Sequence, residues 1–254
     1  MNTLTIARKE LHSYFRSPIA YGVMAFFAVI AGFFFYIAVA FFVQQSIQSA
    51  MMGQNVPMNM NEGVIRGVLS NISVIGLFLL PMITMRLFAE EKRTGTIELL
   101  ATSPLTDMEI ILGKWLASLV FYAAMLALSL VSMSWLFVYG KPDWKPMLVG
   151  YLGLLLMGGA FLAIGVFIST CTKNQIVAGV AGFGVCLMLW VLGWMAGFGN
   201  SVGAQVASYV SVLTHFDSFS KGVLDSKDIL YYVSVIFIGL FLTARSLESL
   251  RWRS

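Results

Sequence analysis

The chain has 254 residues, of which 59% are hydrophobic and only 11% charged, where an ordinary globular domain carries roughly 25% charge. So few charges cannot clothe a soluble surface of this size, which excludes a free-standing soluble enzyme or binding module. The net charge of +4 comes from Lys and Arg scattered between apolar runs, without the basic stripe that a nucleic-acid surface requires.

The first segment is amphipathic. Leu4, Ala7, Leu11, Tyr14 and Phe15 share one side of a helical wheel, with Thr5, Lys9, His12 and Arg16 opposite and Ile6 off the pattern. This predicts an interfacial helix lying among headgroups; a simple soluble extension is the plainer alternative. Ser17-Pro18 then offers an N-cap followed by proline at the first helical position. The apolar run behind it is too long for a signal-peptide core, so a retained first span is expected despite the small-x-small Ala38-Val39-Ala40.

Six apolar runs, at 18–43, 64–88, 108–139, 147–170, 175–198 and 228–247, can each cross about 30 Å of hydrocarbon at about 1.5 Å per residue. The expected fold class is an all-α integral membrane protein with six transmembrane helices, forming a single transmembrane domain over 1–254. Thr106 and Glu109 fit a capping box at the start of the third span. Residues 200–227 alternate apolar and polar side chains and predict one or two short helices resting on the external surface. Lys and Arg concentrate on the side that holds the N-terminus, the segment 86–114, Lys173 and the C-terminus, so both termini are expected in the cytoplasm.

Candidate chemistry inside the spans is sparse. No span carries a charge near its centre, which argues against ion coupling within the chain. Gly113-Lys114 lacks the upstream glycine and the Ser or Thr of a phosphate-cradling loop. His12 and His215 fall on opposite sides and are expected to be separate interfacial hydrogen-bonding residues. Cys171 and Cys186 form neither a disulfide scaffold nor a metal spacing. No catalytic, cofactor-binding or metal-ligating residue is expected in this chain. Glycines at 150, 153, 158 and 159, and at 179, 182, 184, 193 and 197, allow close helix contact within or between subunits.

The most informative stretch runs from Phe88 to Pro104. Glu90, Glu91, Lys92 and Arg93 carry the second span into water, and Gly95 is placed to end the helix. Thr96 can cap a short transverse helix containing Glu98, Leu99 and Leu100, which Pro104 terminates. A charged rim around apolar Ile97, Leu99 and Leu100 suits docking into a partner's groove, although an amphipathic surface loop would look alike.

The chain resembles the ABC-2 type permeases, the membrane subunits of ATP-binding-cassette transporters, and is most similar to their gliding-motility-associated branch. The resemblance covers essentially the whole chain. It rests on 7–11 with 14–18, on Glu90-Glu91-Lys92-Arg93-Thr94-Gly95-Thr96-Ile97-Glu98-Leu99-Leu100 with Thr102-Ser103-Pro104, on His215-Phe216 with Phe219, Gly222 and Val223, and on 245–248. It implies that the N-terminal helix is the family's elbow helix and that Glu90–Leu105 carries a cytoplasmic coupling helix between spans two and three. Glu90, Glu91 and Glu98 would pair with the ATPase or brace the loop; the plainer reading is that they keep it in water. The implied partners are an ABC ATPase subunit that binds ATP and Mg, a second permease protomer, and an accessory periplasmic protein, all at a bacterial inner membrane.

Three functions follow from these observations. The first is a permease subunit coupling a separate ATPase to export. The second is an ATPase-coupled anchor or force-transmitting scaffold of an envelope or gliding-type complex. A membrane-embedded enzyme ranks last, because the spans offer mainly Ser, Thr, Trp and Tyr.

Overall fold

The computed structural model describes residues 2–53, 59–96, 105–140, 142–194 and 202–251. Helices account for the described residues almost throughout, with no strand among them. They are α1 (Asn2–Arg16), α2 (Pro18–Met51), a π turn at Asn61–Ile65 running into α3 (Arg66–Thr84), and α4 (Ala89–Thr94). There follow α5 (Asp107–Tyr139), α6 (Trp144–Cys171), α7 (Gln175–Val191), α8 (Val202–Val210), α9 (Val212–Ser220) and α10 (Ser226–Arg251). Among the described residues six helical stretches, built on α2, α3 with α4, α5, α6, α7 and α10, are long and apolar enough to cross a membrane.

Local chemistry sets several helix starts. The Ser17 hydroxyl accepts from the Ile19 amide at 3.3 Å, with Pro18 where its missing N–H costs nothing. Thr106 and Glu109 form the reciprocal capping box that opens α5, at 3.3 and 3.1 Å. The Asn174 side chain caps α7 through the Ile176 amide at 2.9 Å. Gly95, at φ +75°, ends α4 in the left-handed conformation that a side chain would disfavour.

Helix α6 is the centre of the bundle, packed by α3, α5, α7, α9 and α10. Its glycines make this possible: a Cβ on Gly158 would overlap the Tyr122 ring of α5, and one on Gly153 would lie 2.5 Å from Phe219 of α9. These contacts are within the chain, whereas a Cβ on Gly184 would have no neighbour within 4 Å, so that glycine faces outward. Ser129 and Tyr151 share a buried hydrogen bond of 2.8 Å between α5 and α6. By contrast α2, α7 and α10 are little buried and present apolar side chains such as Phe33, Val180 and Phe237 outward.

The segment between α7 and α10 divides: α8 keeps the surface position expected for it, with Val202, Val206 and Tyr209 exposed, whereas α9 does not. Val212, Phe216 and Phe219 of α9 are almost fully buried. Gly153 leaves room for the Phe219 ring against the α6 backbone, so α9 sinks into the bundle rather than resting on it.

Candidate functional site

At the end of the bundle that carries α1, the first turns of α5 bring Gly113 and Lys114 against the N-terminal helix. A Cβ on Gly113 would lie 2.7 Å from Ile6 and 3.1 Å from the Thr3 carbonyl oxygen, so only glycine lets α1 lie this close. Lys114, adjacent in sequence, is 2% exposed. Its ammonium donates to Glu10 Oε1 at 3.1 Å, to the Leu87 carbonyl at 2.9 Å and to Glu91 Oε1 at 2.7 Å. The Phe88 ring lies 5.2 Å from the same nitrogen. A lysine has three hydrogens to give, and these three acceptors use them all. One buried cation therefore joins α1, the turn after α3, α4 and α5.

The other side of α4 is held by α6. Ser169 Oγ accepts from the Phe88 and Ala89 amides at 3.1 and 3.0 Å and donates to the Met85 carbonyl at 3.2 Å. It caps α4 from another helix, in place of a capping side chain on Phe88 itself. Lys92 donates to the Thr170 carbonyl, and Thr170 Oγ1 donates to Ser246 Oγ of α10 at 2.9 Å. The short helix is thereby fastened to both sides of the bundle.

The candidates from the sequence divide within this site. Glu91 and Lys92 face inward, to Lys114 and to Thr170. Glu90 and Arg93 are exposed. Gly95 makes the turn, and Thr96 Oγ1 reaches back to Thr94 Oγ1 at 3.0 Å. Glu98, Leu99 and Leu100, with the rest of 97–104, lie outside the described residues. Sequence reading missed Glu10, Lys114 and Ser169, because each finds its partner far along the chain.

Beside Lys114 lies a cavity of about 530 Å3 between α1, α2, α3 and α5. Its polar side includes Lys9, Glu10, Arg86, Glu90 and Glu91, and its apolar side includes Ile19, Val23 and Met82. The Tyr14 hydroxyl is buried here, with its ring stacked on Phe121 at 5.3 Å. Burial, reinforced by Glu10 and opposed by Arg86, raises the pKa of this phenol, so it remains a hydrogen-bond donor at neutral pH.

At the opposite end, His215 is buried and paired rather than interfacial. Its Nδ1 lies 2.7 Å from Asp228 Oδ1, its Nε2 donates to the Tyr209 carbonyl at 2.8 Å, and its ring stacks on Tyr231 at 3.9 Å. A carbonyl can only accept, so Nε2 must carry the hydrogen. Nearby, Arg66 meets Asp217 at 2.6 Å and Lys221 meets it at 2.5 Å. Burial works against the charged Asp217 carboxylate, but hydrogen bonds from Lys221 and Arg66 outweigh it and hold the carboxyl below its ordinary range. These pairs tie α9 to α3 and α10. Among the described residues no cluster of His, Cys, Asp and Glu has the geometry of a metal site.

Six apolar crossings, one of them the glycine-lined central helix, with the ion pairs of the described residues at the two ends, define a multi-pass membrane protein. Within that class the chain belongs to the ABC-2 family of transporter proteins, whose family model matches residues 4–243. Comparison with curated proteins finds no match.

Proposed function

We propose that the chain is the membrane-spanning permease subunit of an ATP-binding-cassette transporter, driven by a separate ATPase and working in export. The observation that carries this reading is the attachment of α4 by Lys114, Ser169 and Lys92 to α1, α5 and α6. Such a joint can pass a push on the following loop into several spans at once. A two-state change in the bundle then requires only that the ATPase bind one state better.

In this reading α1 is the elbow helix, and α4 with the loop to Leu105 carries the coupling helix. Both termini are cytoplasmic at a bacterial inner membrane, as the bias of Lys and Arg supports. ATP and Mg are held by the ATPase. The little-buried faces of α2, α7 and α10 meet lipid and a second permease protomer, of the same or a related chain. The motif resemblance favours the gliding-motility-associated branch, in which an accessory periplasmic protein completes the assembly.

The test is purification from the native host in mild detergent, followed by reconstitution. An ATPase is expected to copurify, and Arg93→Glu, on the exposed side of α4, should weaken that association without lowering the chain's thermal stability. Purification without any ATPase, or unchanged association in the variant, would count against the docking assignment. A complex that hydrolyses ATP but moves no cargo in vesicles would replace export by a force-transmitting scaffold.

A further inference from the structure

The cavity beside Lys114 has two unlike halves. Ile19 and Met82, each 53% exposed, open its apolar side outward between α2 and α3. On its polar side Lys114 leaves work undone. Glu91 Oε2 and the Tyr14 hydroxyl are buried and have no hydrogen-bond partner among the described residues. Arg86, at the exposed rim of the cavity, has no ion-pair partner among them.

These groups ask for a ligand of two signs. The buried carboxylate oxygen needs a donor and the buried phenol an acceptor, while the guanidinium at the rim attracts an anion. Lys9, Arg86 and Lys114 balance Glu10, Glu90 and Glu91 around the cavity, so the lining carries no net charge. A neutral, internally polarised lining favours a zwitterion over a simple anion or cation. Water would satisfy each polar atom singly, whereas a lipid whose chains follow the outward-facing apolar side fills both halves with one molecule. The cavity's volume of about 530 Å3 falls within the roughly 300–1,000 Å3 usual for small-molecule sites.

We propose that this cavity binds the headgroup of a zwitterionic aminophospholipid of the phosphatidylethanolamine type. The primary ammonium donates to Glu91 Oε2, the phosphate accepts from Arg86 and Tyr14, and the acyl chains leave along the opening between Ile19 and Met82. The amphipathic character of α1 suits the depth where such headgroups lie. The proposal stands apart from ATPase coupling, since it needs this chain alone.

The experiment uses the full-length chain, purified and stripped of lipid, with titration of short-chain phosphatidylethanolamine followed by native mass spectrometry. Phosphatidylcholine keeps the phosphate but cannot donate from its methylated nitrogen, and phosphatidylglycerol has no nitrogen. Phosphatidylethanolamine is expected to bind about tenfold tighter than either, the effect of one charge-assisted hydrogen bond. Arg86→Gln, which leaves the bonds of Lys114 intact, should weaken phosphatidylethanolamine binding about tenfold while thermal unfolding stays unchanged. Glycerophosphoethanolamine, the headgroup without chains, separates a lipid from a soluble aminoalkyl phosphate. Much weaker binding supports the lipid; equal binding would overturn it. Equal affinity for the three lipids, or no effect of Arg86→Gln, overturns the site itself. Because no ATPase is in the assay, failure here leaves the coupling reading standing, and failure of coupling leaves this one.

Discussion

Lys114 gives each of its hydrogens to a different segment, and that arithmetic sets its worth. Replacing it with Met would leave Glu10 and Glu91 facing each other without their cation. Breaking a buried pair from one side costs several kcal/mol. Both carboxylate side chains keep about a fifth of their surface exposed and can partly rehydrate, so Lys114→Met should cost about 3 kcal/mol, the lower end of that range. Adding Glu10→Gln and Glu91→Gln to the same variant should recover most of the loss, since it is the uncompensated charge that costs. Thermal unfolding of the single, double and triple variants in detergent measures this, and strictly additive losses would mean that the three groups do not act together. None of this was legible in the sequence. Glu10 and Lys114 are 104 residues apart, and nothing in local spacing links them. His215 illustrates the same blindness: read alone it is an interfacial residue, and only the fold supplies Asp228 and Tyr209.

At the level of elements, the sequence was most readable where physics acts locally. Spans announce themselves because crossing hydrocarbon demands a minimum apolar length. Caps announce themselves because Ser17, Thr106 with Glu109, and Gly95 act on amides or turns a few residues away. How helices pair was not readable. Apolar residues surround a membrane helix on all sides, so periodicity cannot say which face meets protein and which meets lipid. That is why α9, amphipathic enough to pass for a surface helix, is instead buried against Gly153. Gly113 provides an element-scale test. In Gly113→Leu the new side chain meets Ile6 and the Thr3 carbonyl of α1, an overpacking worth about 1–3 kcal/mol. The expected result is faster tryptic cleavage after Arg8 and Lys9 as α1 lifts from α5. Gly67→Ala is the control, because a Cβ there has no neighbour within 4 Å and should stabilise α3 by about 0.5–1 kcal/mol. Unchanged cleavage in Gly113→Leu would show that the close approach at Gly113 does not hold α1, leaving that to Lys114 and the Tyr14–Phe121 stack.

On the scale of the whole molecule, the two ends of the bundle differ in kind, and orientation decides which end can meet an ATPase. One end fastens the α1, α4 and α5 junction through Lys114; the other is braced by His215 with Asp228 and by the Asp217 pairs. The native cysteines can establish which end faces the cytoplasm without any engineering. Cys171, the last residue of α6, is exposed at the Lys114 end, whereas Cys186 is buried within α7. A membrane-impermeant maleimide should therefore react with one thiol and not the other. With the proposed orientation, intact spheroplasts remain unlabelled, inverted vesicles label once per chain, and Cys171→Ser abolishes the signal. Labelling from outside would place Lys114 and α4 across the membrane from any cytoplasmic ATPase. The junction could then no longer couple ATP to the spans, whatever the sequence of its loop resembles.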